Sequence, residues 1–320
     1  MPQTQSKKSV AEHIVVGPDQ AGRRIDNYLS TYLKDIPRTR IYQMLRKGEV
    51  RVNSSRVKQD YRIMERDVIR VPPVFHDKKN RQRPRPSRGL LDKIERSQVY
   101  IDEFLLVLNK PAGIAVHSGS GEKFGVIEIL RQLRPDDKYL ELVHRLDKQT
   151  SGCLLIARNH KILRELHELL RHGSHIKKQY LALLKGQLNK TMQVSIPLRK
   201  NELLSGERMV RTDTSGKQAL SVFRPVISRN GVSLVNVEIT TGRTHQIRVH
   251  AASIGHPVAG DDKYGDREFN RSMKKEGLKR MFLHAESLTV KLPYTGKTRT
   301  FKAPLPAELE KIVDRLMNGK

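Results

Sequence analysis

The chain has one cysteine and no tryptophan in 320 residues. A single thiol, Cys153, excludes an internal disulfide and any zinc site built from several cysteines; inside the run Cys153-Leu154-Leu155-Ile156-Ala157 it reads as a small core residue. Aromatic residues make up 5%, so few rings are available to stack on a ligand. No apolar run reaches the roughly 18 residues of a membrane span. Met1 to Lys8 lacks the apolar core of a secretory signal, and Glu12 with an early domain start argues against a basic presequence. No glycine-rich strand-to-helix fingerprint for dinucleotides occurs; Gly119-Ser120-Gly121 is short and opens no helix. HExxH is absent, and His245 and His250, five apart in a predicted helix, share no face well. His144, His256 and His284 add no metal-binding spacing. The expectation is a cytoplasmic protein, monomeric, with no metal and no membrane partner.

Acidic residues are scarce as well: 34 Asp and Glu stand against 61 Lys and Arg, a formal net charge of +27. Such a charge speaks about partners, and a polyanion such as RNA comes first. The apolar fraction of 37% still suffices for a core.

Residues 1–12 read as a polar, disordered tail. A compact unit follows over 13–73. Ile25, Tyr28, Leu29, Tyr32 and Leu33 recur at helical spacing, with Pro37 expected to end that helix. Ile41, Met44 and Leu45 mark a second helix, stopped by Gly48. Val50–Asn53 and Asp67–Val71 alternate as short strands. Arg38, Arg40, Arg46, Lys47 and Arg51 concentrate around the second helix and the strand after it, as an RNA-binding face requires. Residues 74–89 hold six Lys and Arg, Pro84 and Pro86 with no periodicity, which predicts a basic, Pro-rich linker.

From 90 to 320 strands and helices alternate. Strands are predicted at Phe104–Asn109, Leu140–Arg145, Cys153–Arg158, Gln179–Lys185, Ser221–Val226 and Ser233–Thr240. Helices are predicted at Val126–Leu133, Lys161–Arg171, Thr244–Ile254 and Ala307–Met317. The fold class is α+β: a small N-terminal domain and a larger one built on a mixed, mostly antiparallel sheet.

One stretch concentrates the chemistry. Between the apolar run ending at Val143 and the run from Cys153 lies His144-Arg145-Leu146-Asp147-Lys148-Gln149-Thr150-Ser151-Gly152. The polar turn hangs Asp147 at the mouth of two strands. By spacing alone Asp147 reads first as a turn-capping aspartate. An ionised carboxylate there also suits covalent attack, provided a neighbouring cation stabilises it. Arg145, two positions earlier on an extended segment, shares its side. Arg243 precedes a predicted helix with Thr244 as N-cap, so that helix would fix it. Tyr180, in an alternating strand, reads as a core aromatic.

The motif HRLDKQTSG resembles that of the RluA-type pseudouridine synthases. The resemblance extends over about Leu105–Leu288 and includes Leu106–Gly113 (with Asn109-Lys110-Pro111), Lys178–Ala182 and Gly242–Arg248. The N-terminal unit resembles the S4 RNA-binding module. The resemblance implies the pseudouridine synthase fold and isomerisation of uridines in bacterial large-subunit (23S) ribosomal RNA, naked or partly assembled, without a cofactor. Asp147 would be the nucleophile and Arg243 its paired cation. Tyr180 would stack on the flipped base and Arg145 would fill the place it leaves. Lys110, Pro111, Lys178 and Thr244 would shape the site, and His144 would be structural. Two rival readings stay open: an RNA-binding assembly factor, which needs no Asp147, and a metal-dependent RNA hydrolase, which needs clustered ligands.

Overall fold

The computed structural model describes residues 11–33, 36–73, 85–118, 123–172, 176–202 and 208–318. The chain divides into two compact units, 1–83 and 84–320. The expected tail falls almost wholly outside the described residues, as does the expected linker up to residue 84.

In the first unit, β1 (Glu12–Val15), α1 (Ile25–Tyr32), α2 (Arg38–Lys47), β2 (Arg51–Val52) and β3 (Val68–Val71) follow in order. The strands form one antiparallel sheet, β1-β3-β2. Ile25, Leu29, Ile41, Met44 and Ile69 are fully buried in its core. Each buried aliphatic side chain contributes about 1.5–3 kcal/mol. Pro37 does not end α1, which stops at Tyr32. It is the N-cap of α2, where its fixed φ of −58° leads into the helix and its missing N–H costs nothing. Gly48, with φ +70°, closes α2 as a left-handed cap.

The second unit opens with α3 (Arg88–Glu95), whose first two residues lie inside the segment expected to be linker. The Ser87 hydroxyl accepts from the Leu90 amide and so starts the helix there. Then come β4 (Gln98–Ile101), β5 (Leu105–Lys110), α4 (Val126–Leu133), β6 (Glu141–Leu142), β7 (Ser151–Ala157), α5 (His160–His172) and β8 (Ile176–Lys185). They are followed by β9 (Met192–Ser195), β10 (Leu198–Glu202), β11 (Arg208–Thr212), β12 (Leu220–Arg229), β13 (Val232–Ile239) and α6 (Gln246–Ser253). The unit ends with α7 (Arg267–Lys275), β14 (Leu283–Lys291), β15 (Thr298–Lys302) and α8 (Ala307–Val313). A ten-stranded sheet runs β4-β5-β7-β14-β8-β13-β12-β9, with β15 on β14 and β6 on β7. Among the described residues its one parallel pair is β7 with β14. The sheet is therefore mixed and mostly antiparallel, as the α+β reading expects.

Alternation along the strands sorts the core. Leu106, Leu108, Leu154, Ile156, Tyr180 and Ala182 face α4 and α6. Leu105, Val107, Cys153 and Leu155 face α5. Leu183 and Phe282 pack against α7 and α8. Among the described residues no helix is long and apolar enough to cross a membrane.

One edge of β7 is shared, and this opens the site. Ser151 and Gly152 pair with β14, whereas Ile156 and Ala157 pair with β6. The strand predicted over Leu140–Arg145 stops at Leu142 for a local reason. The Val143 amide still donates to the Leu155 carbonyl (3.0 Å), but the Leu155 amide donates to His144 Nε2 (3.1 Å) instead of to backbone. A side chain ends the ladder, and residues 143–150 leave the sheet between β6 and β14. Gly152 permits the close approach: it has φ +116°, and a Cβ there would lie 2.2 Å from the Ala285 carbonyl oxygen.

Candidate active site

Asp147 sits on the loop that leaves the sheet. Leu146 anchors the loop in the core cluster that also holds Tyr180 and Ile247. The Thr150 amide closes a turn onto the Asp147 carbonyl (3.1 Å). The next carbonyl, that of Lys148, accepts from the Gly113 amide (2.8 Å) and from Lys110 Nζ (3.2 Å). The Asp147 side chain keeps 25% of its exposure, enough to meet a ligand.

The cation that meets it is Arg248, not Arg243. Arg248 Nη1 donates to Asp147 Oδ2 at 3.2 Å. The rest of its fork is bidentate on Asp261, with Nε to Oδ2 at 2.7 Å and Nη2 to Oδ1 at 2.8 Å. Its guanidinium also lies over the Tyr264 ring, 5.0 Å from the centroid. Burial acts to raise Asp261, but the Arg248 bond and the amides of Lys263 and Tyr264 outweigh it and hold that carboxyl below its usual range. Burial likewise opposes the charge on Arg248, and the Asp261 and Asp147 carboxylates overcome it. The pairing predicted for Arg243 is therefore corrected. Arg243 is exposed and its Nε donates to the Gln218 carbonyl (3.1 Å).

Helix α6 explains the difference. It begins at Gln246, two residues later than predicted, so Thr244 lies in the preceding turn and is not its cap; that position is held by His245, in the left-handed region with φ +54°. The Gln246 side chain seals the turn by accepting from the Arg243 amide (3.0 Å) and donating to the Leu220 carbonyl (2.9 Å). Arg243 is thus left on the solvent side, while Arg248 falls on the buried face with Ile247 and Ala251. Both arginines lie in Gly242–Arg248. Periodicity gave no sign of Arg248, because the helix is buried on every side from Gln246 to Ala251.

Tyr180 is buried at the centre of β8. Burial pushes its phenol up and the nearby Asp147 charge adds to this, so the hydroxyl stays protonated at neutral pH. Lys110 is fully buried and donates to the carbonyls of Pro111, Ile114 and Lys148. Burial pulls its amine down to about 7, opposed by Asp147. Three carbonyl partners call for three N–H bonds, which only the ammonium form supplies. Lys110 and Pro111 thus hold the floor of the Asp147 loop. Lys178, half-buried two residues before Tyr180, lies against Gly242, where an added Cβ would come to 3.3 Å from its amine. Burial lowers it to about 8. Arg145 is exposed beside the loop. His144, driven down to about 3 by burial with Lys178 adding, is neutral and structural.

Three of the other histidines are committed elsewhere. His250 bonds Ser221 and the Ile196 carbonyl, His256 the Lys185 carbonyl, and His284 Ser151 and the Ala303 carbonyl. Among the described residues no three His, Cys, Asp or Glu are grouped to hold a metal.

In the first unit the predicted RNA-binding cations differ among themselves. Arg46, Lys47 and Arg51 are exposed. Arg38 is exposed and bonds Asn27. Arg40 is already engaged, bidentate on Glu49 at 3.2 and 2.7 Å.

Comparison with known proteins gives the family. A sequence profile described as RNA pseudouridylate synthase matches residues 104–253, and one described as S4 domain matches 23–69. The chain is similar to "Ribosomal large subunit pseudouridine synthase C" of Pasteurella multocida (strain Pm70), 49% identical over 308 residues, covering 96% of this chain and 94% of the relative. It is similar to the protein of the same name from Escherichia coli (strain K12), 46% identical, covering 96% and 97%. Among solved structures it is similar to human RNA Pseudouridylate Synthase Domain Containing 4, with TM-score 0.59 and 25% identity, covering 71% of this chain and 95% of that one. Human RNA Pseudouridylate Synthase Domain Containing 1 gives TM-score 0.56 and 26% identity, covering 70% and 87%.

Proposed function

The chain belongs to the RNA pseudouridylate synthases, and from that premise we propose that it isomerises specific uridines in bacterial 23S, large-subunit ribosomal RNA, with Asp147 as nucleophile. The observation that carries the assignment is the Asp147 carboxylate, partly open to solvent and held at one oxygen by Arg248, whose fork is locked by Asp261. Such a carboxylate is oriented and not consumed as a structural partner. Arg248, rather than Arg243, takes the role of paired cation.

The steps follow from the chemistry of the groups. RNA docks through exposed cations, including those of α2. A uridine leaves the stack, and Arg145 fills its place. The flipped base stacks on Tyr180, worth roughly 1–3 kcal/mol. Asp147 attacks C1′ or the base, and the N1–C1′ bond breaks. The uracil turns, C1′ joins C5, the bond to Asp147 breaks and returns the carboxylate, the C5 proton leaves and N1 is protonated. Atoms balance within the nucleotide, so the isomerisation needs no redox partner and no donated group. Lys110, Pro111 and Lys178 shape the walls. The protein acts as a monomer in the cytoplasm, on naked RNA or an assembly intermediate, and residues 13–73 add RNA affinity.

The test is a map of pseudouridine in 23S rRNA from cells lacking the gene. Defined sites should vanish, return with the wild-type gene, and stay absent with Asp147→Asn. An unchanged map would refute the assigned substrate.

A further inference from the structure

A second group lies on the nucleophile. His245 Nε2 is 3.9 Å from Asp147 Oδ2, the same oxygen that Arg248 holds. The other ring nitrogen, Nδ1, is 2.9 Å from the Tyr264 hydroxyl. That hydroxyl accepts from the Val210 amide at 2.9 Å. A phenol oxygen that accepts from an amide has its own proton to place, and Nδ1 is the acceptor beside it. Nδ1 is then unprotonated, and in the neutral ring the proton sits on Nε2, facing Asp147.

Three further observations bear on this. Burial favours the neutral imidazole; Arg248 and Lys263 act in the same direction, against Asp147 and Asp261. His245 occupies a left-handed conformation, φ +54° and ψ 19°, that glycine would adopt with less strain. A histidine kept there implies that its side chain offsets the cost. Finally, Val210 is buried with Leu198, Ala219 and Val249, so the amide that anchors Tyr264 belongs to a fixed part of β11.

We infer that His245 is a positioning residue: its Nε2–H, aimed by the Tyr264 hydroxyl and the Val210 amide, steadies Asp147 Oδ2 together with Arg248 and presents Oδ1 for attack. This rests on Asp147 being the nucleophile. The 3.9 Å separation closes to a hydrogen bond when RNA fills the site, as bonds of this kind tighten on substrate binding. Tyr264 acts through His245 and touches neither substrate nor nucleophile.

The experiment measures single-turnover pseudouridine formation at saturating rRNA transcript, and the dissociation constant, for the full chain and its variants. His245→Ala should slow the chemical step by about 10–100-fold, the scale of a misplaced reacting group, with RNA affinity unchanged. His245→Gln, whose amide N–H can reach toward Oδ2, should recover much of that loss. Tyr264→Phe should slow the step less than His245→Ala. Added to His245→Ala it should cost nothing more, because its effect passes through the imidazole. A wild-type rate for His245→Ala, a change confined to affinity, or fully additive losses would overturn the inference. If His245→Ala does not fold, Tyr264→Phe, which keeps the ring over Arg248, decides alone: a wild-type rate in the folded protein overturns it. Asp147→Asn in the same series separates the two levels. An active Asp147→Asn removes the nucleophile assignment, whereas an inactive one beside an unaffected His245→Ala removes only the role of His245.

Discussion

The cations of the two units are held in opposite ways. Arg248 is 9% exposed and its guanidinium is divided between two carboxylates. Arg46 and Lys47, in the last turn of α2, stand exposed, favoured there by the helix dipole. A buried, forked cation has one geometry and gives direction to a neighbouring charge. An exposed cation has many geometries and contributes field, which salt screens. Position in the first unit should therefore matter little and charge count should matter; in the second unit the reverse should hold. Arg40 tests the rule from inside the first unit, because Glu49 already takes its charge.

The strongest way to break this comparison is at the nucleophile. Asp147→Asn should lose several orders of magnitude in single-turnover rate at unchanged RNA affinity, since covalent catalysis has no partial substitute. Pseudouridine formed at a substantial rate by the pure variant would defeat the assignment. Next comes the contrast of two arginines. Arg248→Ala should cost about 10²–10³-fold in rate, as loss of a preorganised charge partner does. It should also cost roughly 3–5 kcal/mol of stability by leaving Asp261 buried and unpaired. Arg243→Ala should cost little stability, and its effect should fall on affinity. The ranking reverses if rates for folded protein show Arg243→Ala the slower of the two.

Smaller effects sharpen the first-unit side. Replacing Arg46 or Lys47 by Gln should lower the salt slope of RNA binding by about 0.7–0.9 for each phosphate left without its cation, with the saturated rate intact. Arg40→Gln should change the slope less, and its exposed pair with Glu49 is worth about 0–1 kcal/mol. Equal slopes for all three variants would erase the distinction drawn from Glu49. Smallest is a pH effect. His144 is held neutral down to about 3, so the folded chain binds fewer protons than the unfolded one below pH about 6.5. That contribution is complete above about 6.5 and is lost as pH falls toward 3. His144→Gln should flatten the acid decline of the melting temperature; an identical decline would show that His144 protonates alike in the folded and unfolded chain.

Legibility in the sequence followed the range of the interactions. The α1 and α2 cores and the Gly48 stop are local, and periodicity exposed them. Asp147 was legible as a carboxylate in a turn between apolar runs. Arg243 misled because motif spacing cannot say where a helix starts. The turn before α6 leaves Arg243 exposed, and the helix itself carries Arg248 into the buried interior. Asp261 and Tyr264 carry no local signature, since their partners lie 13 and 19 residues away and are chosen by the fold. β14 escaped notice because a register shift between His284 and Ser287 breaks its alternation. The β10–β11 ribbon escaped because Arg199, Lys200 and Arg211 mask its period.

The junction of β7 with β14 has a consequence in time. Ser151 meets His284 across 133 residues, and Asp147 meets Arg248 across 101. The first unit closes within a far shorter stretch, with β1 reaching β3 as its longest strand pairing. Loop-closure entropy makes distant pairings slow, and domains made early in synthesis fold first. A growing chain should thus acquire its RNA-binding surface well before Asp147 is mounted. Pulse-labelled hydrogen exchange during refolding should protect the Ile69 amide before the Leu155 amide, whose partner is His144; simultaneous protection would mean that the two units fold as one.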